Sequence, residues 1–187
     1  MSDQAEKRVE LWLRSLGLIP QRFSKRERRT KKLPDFHVKR IDHPQLLIEV
    51  KTIKEEAGTG EGARSDPTFN RISTKVHDAV GQFRSADPQE VMPRMLVFVN
   101  YDEDCDMLDL FGVLTGDFLT GEGSRHRIYS RFSEGRIKSD RNLIDVYVWM
   151  EEDGSTHRLY NTVSPERSRC LGSYLSVDID AVKRVQS

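Results

Sequence analysis

Two apolar runs with a helical stretch between them constrain this chain more than any other feature of it. Residues 95–101 (MLVFVNY) are nearly all apolar, as a strand must be when helices cover both of its faces. Residues 46–53 (LLIEVKTI) form a second β-rich run. Between the two, residues 70–85 follow a helical period that gathers Ile72, Val76, Ala79, Val80 and Phe83 on one face. A helix that connects two strands of one sheet is a crossover, so the chain is expected to be α/β, with a mixed central sheet flanked by helices.

The flanking segments extend the pattern. Over residues 3–15, Val9, Trp12, Leu13 and Leu16 fall at i, i+3, i+4 and i+7. Ser2 or Asp3 can cap this amphipathic helix and Gly17 stops it. Residues 18–23 read as a short strand. Residues 33–40 (LPDFHVKR) and 46–53 form a hairpin through IDHPQ, where Asp42, His43 and Pro44 supply turn chemistry. Residues 54–69 are rich in glycine and charge without any period, which predicts a mobile loop. Further on, residues 111–114 and 144–150 read as strands, and Glu152, Asp153 and Gly154 turn the second toward a partner at 156–160. The expected order is α-β-β-β-α-β over a core of about residues 3–118, followed by a β-rich elaboration over about 119–187. A single domain accommodates all 187 residues.

Composition narrows the classes. Hydrophobic residues make up 36% and charged residues 32%, a polar balance, yet the apolar runs are patterned well enough to fold. No run approaches the roughly 20 apolar residues of a membrane-crossing helix. The first ten residues also lack the apolar core of a signal peptide. A soluble cytoplasmic protein without a membrane partner is expected. Cys105 and Cys170 form no CxxC pair, and His37, His43, His77, His126 and His157 lack zinc-ligand spacing.

Thirty basic and thirty acidic residues cancel, but they are segregated. Residues 1–40 hold twelve Lys/Arg against five Asp/Glu, and the remainder eighteen against twenty-five. The positive excess concentrates at residues 22–32, where Arg22, Lys25, Arg26, Arg28, Arg29, Lys31 and Lys32 face a single acid, Glu27. Such a run binds phosphates by releasing counterions, or else forms a solvated loop. Residues 125–141 make a second basic region. Phe23, Tyr129 and Phe132 lie among these basic residues and could stack on bases, although core packing is the commoner role. Five acids in residues 102–109 lack calcium-loop spacing and read as a solvated loop.

Asp35, Glu49 and Lys51 carry the chemistry. In a strand, residues two apart share a face, so Glu49 and Lys51 project together, about 7 Å apart at Cα. A hairpin brings Asp35 beside them. Two converging carboxylates suit a hard divalent cation such as Mg²⁺ or Mn²⁺. The lysine can hold an attacking water and offset charge that builds on a phosphate. His37 shares the face of Asp35.

The pattern Pro34-Asp35, thirteen residues, then Glu49-Val50-Lys51 resembles the PD-(D/E)XK nuclease superfamily, with its restriction-endonuclease-like fold. The resemblance spans about residues 3–101. It implies that Asp35 and Glu49 bind the metal and that Lys51 assists phosphodiester hydrolysis. It further implies a helical glutamate, about three turns before a glycine, that helps hold the metal directly or through water. Glu6 stands eleven residues before Gly17 and, at about 100° per residue, lies nearer the apolar face than Glu10. Members often carry a glutamine in the helix after the motif strand. Here Gln82 and Lys75 lie seven apart on one helix edge, with Lys75 available to bind nucleic acid. The expected function is a metal-dependent endonuclease, with DNA favoured over RNA as its partner and homodimers compatible with two-strand cutting.

Each residue also has a plainer reading. Asp35 can begin a strand, Glu49 and Lys51 can form an exposed ion pair, and Glu6 can serve the helix dipole. The alternative function is a non-catalytic module of the same fold that binds nucleic acid or protein. A third reading is an unrelated α/β domain in which the motif is accidental.

Overall fold

A computed structural model describes residues 2–54, 65–119, 124–127, 134–161 and 164–176. The elements run α1 (Ser2–Ser15), α2 (Lys25–Thr30), β1 (Phe36–Arg40), β2 (His43–Lys54), α3 (Ser65–Ala86) and β3 (Arg94–Tyr101). Then come α4 (Met107–Thr115), β4 (Asp117–Leu119), β5 (Arg125–Arg127), α5 (Glu134–Arg141), β6 (Val146–Met150), β7 (Thr156–Tyr160) and α6 (Pro165–Leu175).

Five strands make one open mixed sheet in the order β1-β2-β3-β6-β7. The central pairs β2/β3 and β3/β6 are parallel, and the outer pairs β1/β2 and β6/β7 are antiparallel. Parallel neighbours require crossovers, and crossovers are overwhelmingly right-handed. Two that step in the same direction across a sheet must therefore use the same face. The packing agrees. Ile72, Val76, Val80 and Phe83 of α3, Leu110 and Val113 of α4 and Ile137 of α5 share one apolar cluster with Leu47, Leu96, Phe98 and Trp149 of the sheet. The opposite face is covered by Ala5, Val9 and Leu13 of α1 and Leu171 and Tyr174 of α6, packed on Phe36, Ile48, Val97 and Val148. Cys170 belongs to this second cluster and Cys105 to the first, so the sheet separates the two thiols.

Helix α1 ends as its sequence dictates. Gly17 takes φ +75°, and the Leu18 amide reaches back to the Leu13 carbonyl at 3.0 Å. Among the described residues no helix is long and apolar enough to cross a membrane.

Several expectations are corrected. Residues 18–23 form no strand; a single bridge, Gln21 to His37, covers the outer edge of β1. Residues 25–30 of the basic run are a helix, because Ser24 and Glu27 close a reciprocal capping box at its start. Residues 111–114 lie in α4, not a strand. Asp106 caps that helix with Asp109, Gly116 ends it at φ +75°, and Leu110, Val113 and Leu114 make the buried stripe. The acidic stretch 102–109 is thereby built in: Asp102 is buried and bonded to Arg71 at 2.8 Å, and Asp106 is the cap. Strand β2 already starts at His43, so the turn is tighter than IDHPQ implied. The C-terminal strands β6 and β7 are members of the main sheet, and helices α5 and α6 were not anticipated. Of the loop expected over 54–69, Lys54 belongs to β2 and residues 65–69 to α3, while 55–64, together with Tyr129 and Phe132, lie outside the described residues.

Candidate active site

The register of the hairpin builds the site. Phe36 pairs with Ile48, which sets Asp35, one residue before β1, opposite Glu49. The two acids are tied by their backbones. The Asp35 amide donates to Glu49 Oε2 at 3.1 Å, and the Val50 amide donates to Asp35 Oδ2 at 2.9 Å. Lys51, two along from Glu49 and on the same face, places Nζ 2.7 Å from Glu49 Oε1. From α3, Gln82 accepts from Lys51 Nζ at 2.8 Å and donates to the Leu33 carbonyl at 3.1 Å. Gln82 thus ties the lysine to the segment that leads into Asp35.

These groups open onto a cleft of about 230 Å³ lined by Ala5, Asp35, Glu49, Val50, Lys51, Thr52 and Lys75. Glu49 is only 2% exposed. Its burial, and then the negative charge of Asp35, push its carboxyl up to about 8 against the opposing pull of Lys51. Asp35 is raised as well, by burial first and by the charge of Glu6, while its bond from Val50 works the other way. Two acids forced together out of water resist ionising at once, and a divalent cation between them would remove that conflict.

Glu6 is buried, whereas Glu10 pairs with Arg14 at the surface, as the helix rotation anticipated. The expectation that Glu6 shares the metal is corrected, however, because its carboxylate does not line the cleft. Its Oε2 is held by Arg22, whose guanidinium lies 5.0 Å from the centre of the Phe36 ring. Among the described residues, no three His, Cys, Asp or Glu side chains come together to hold a metal. The carboxylates brought to the cleft are therefore Asp35 and Glu49, with Glu6 behind them.

The remaining basic residues separate into groups. Lys25, Arg26, Arg28, Arg29, Lys31 and Lys32 are exposed on or just after α2, which buries no residue. Arg28 donates to the Asp35 carbonyl at 2.8 Å and so pins this helix to the lip of the site. Arg22 pairs with Glu6 while remaining partly exposed, and Lys75 lines the cleft from α3. His37 is 7% exposed and lies beneath the Phe23 ring at 4.7 Å between centroids, with burial lowering its pKa.

Sequence reasoning missed Thr52 and Ala5 as cleft residues. No local sequence signal marks Thr52, because its place on the cleft depends on β1 starting only at Phe36 while β2 runs on to Lys54. Comparison with family models, with curated proteins and with solved structures finds no match to this chain.

Proposed function

We propose that the protein is a metal-dependent nuclease that hydrolyses phosphodiester bonds in DNA, with a restriction-endonuclease-like core. One observation carries the reading: the buried Glu49, the half-buried Asp35 set opposite it by the β1/β2 hairpin, and a lysine two along from Glu49 meet in an open cleft that also holds Lys75. An exposed ion pair would not need this burial, nor a glutamine from another element to fix the lysine.

Asp35 and Glu49 are the groups that would hold Mg²⁺ or Mn²⁺, since both are hard oxygen donors whose ionised forms are disfavoured when crowded. When bound, the ion supplies Lewis acidity to a phosphate oxygen and acidifies a water. Lys51, oriented by Gln82, holds the attacking water and offsets charge on the phosphate as it develops. Glu6 acts from behind through its charge on Asp35. The α2 basic residues grip the backbone beside the scissile position without reading sequence.

Labelled duplex, single-stranded and branched DNA and RNA, each incubated with Mg²⁺, Mn²⁺ or EDTA, test this reading. DNA cleavage that requires metal supports it. Binding without cleavage under every metal condition contradicts it and leaves the non-catalytic module of the same architecture.

A further inference from the structure

Past the start of β1, the outer edge of β2 lies open beside the cleft. The edge bonds of this strand alternate strictly. The amides of odd residues point toward β3, as the Leu47 amide does in donating to the Pro93 carbonyl at 3.0 Å. The amides of even residues point toward β1. His37 turns its own amide and carbonyl away from β2, to Gln21, so Phe36 and Val38 are the β1 residues that bond to Ile48 and Leu46. Strand β1 begins only at Phe36. Beyond it the Val50 amide is satisfied by the Asp35 carboxylate. The next amide on that edge belongs to Thr52, about 7 Å further along. Among the described residues nothing accepts from it. Thr52 lines the cleft beside Lys51, and Lys75 of α3 lines the same space.

A backbone N–H on an open strand edge, in a cleft that Lys51 and Lys75 also line, is a donor suited to an anionic oxygen. We infer that the Thr52 N–H and Lys75 together form a subsite for a second phosphate of the polynucleotide, adjacent to the one that faces Asp35, Glu49 and Lys51. This rests on the nuclease reading for the identity of the ligand. The subsite makes the late start of β1 functional, because a longer β1 would cover the donor. It also sets a direction: the strand being cut would run along the β2 edge from the Asp35 cap toward Lys54.

Thr52→Pro removes this N–H at a position where proline breaks no ladder bond, since the amide faces the open edge. With folding verified by circular dichroism, T52P is expected to bind a labelled DNA duplex in Ca²⁺ more weakly by roughly tenfold or more, the loss associated with a hydrogen bond to a charged group. In a series of duplexes each carrying one neutral methylphosphonate, one position should weaken the wild type and have a smaller effect on T52P. If T52P fails to fold, amide NMR of the isotope-labelled wild type decides. The Thr52 amide should exchange quickly in the free protein and move on adding the duplex, while the Val50 amide stays protected. Folded T52P with wild-type affinity, or a Thr52 amide unmoved by bound DNA, overturns the subsite. Wild-type binding that moves the Thr52 amide without cleavage under any metal condition upholds the subsite and defeats the catalytic reading. Absence of DNA affinity in the wild type overturns both.

Discussion

At the scale of single residues, Glu49 sets the behaviour of the site. With its carboxyl raised to about 8 chiefly by burial, the folded chain keeps a proton that the unfolded chain releases near 4.5. The sign follows from linkage. This group's contribution is most favourable below pH 4.5, and stability is lost as the pH climbs toward about 8, beyond which the cost is constant. Glu49→Gln removes the ionisation. It should therefore raise the Tm of the metal-free protein by a few degrees at pH 8 and by much less at pH 5, read by calorimetry at both values. For the same reason divalent-metal binding should release a proton and tighten as the pH rises toward about 8, measurable by titration calorimetry in buffers of different ionisation enthalpy. At this scale the sequence was informative. Period-two alternation placed Glu49 and Lys51 on one face, and helical spacing turned Gln82 toward the sheet. The Glu6–Arg22 pair was not legible, because it depends on the path of a connection that makes one isolated bridge and no strand.

Among the elements, α2 and α4 show where local reading gives out. A short apolar run such as residues 111–114 fits a strand or a buried helix equally well, and the deciding signals were Asp106 with Asp109 at one end and Gly116 at the other. The same device, Ser24 with Glu27, stands inside the basic run, where the dense charge carries no apolar period to mark a helix. Ser24→Ala should unravel α2 and lower DNA affinity severalfold. The Tm should barely move, because α2 contributes nothing buried to the core. Fluorescence anisotropy beside a thermal melt checks both. Gly17 presents the opposite case. A Cβ there would meet no atom within 4 Å, yet φ is +75°. Gly17→Ala should therefore cost about 1 kcal/mol through backbone strain alone, read by urea unfolding.

Over the whole molecule, the sheet assembles what the sequence keeps apart. Two crossovers in the same direction bring β6, about fifty residues downstream of β3, to its side. Chain order could not show this, because the intervening β4/β5 pair and α5 give weak local signals. The far end of the sheet is locked by ions. Asp145 accepts from Arg167 Nε at 3.0 Å and from the Arg94 amide at 2.8 Å, and all three residues are buried. Arg167→Ala leaves a buried carboxylate without its main partner and should cost about 3–5 kcal/mol in urea unfolding. Separating this lock from the cleft lets stability and chemistry be changed independently, so a loss of function at Lys51 can be read as chemistry. The most direct test compares DNA cleavage rates of the wild type, Asp35→Asn and Lys51→Ala in Mg²⁺, with folding and DNA affinity measured alongside. Both variants are predicted to retain fold and binding while losing at least roughly 100-fold in rate. Lys51→Ala cutting as fast as the wild type would contradict the account.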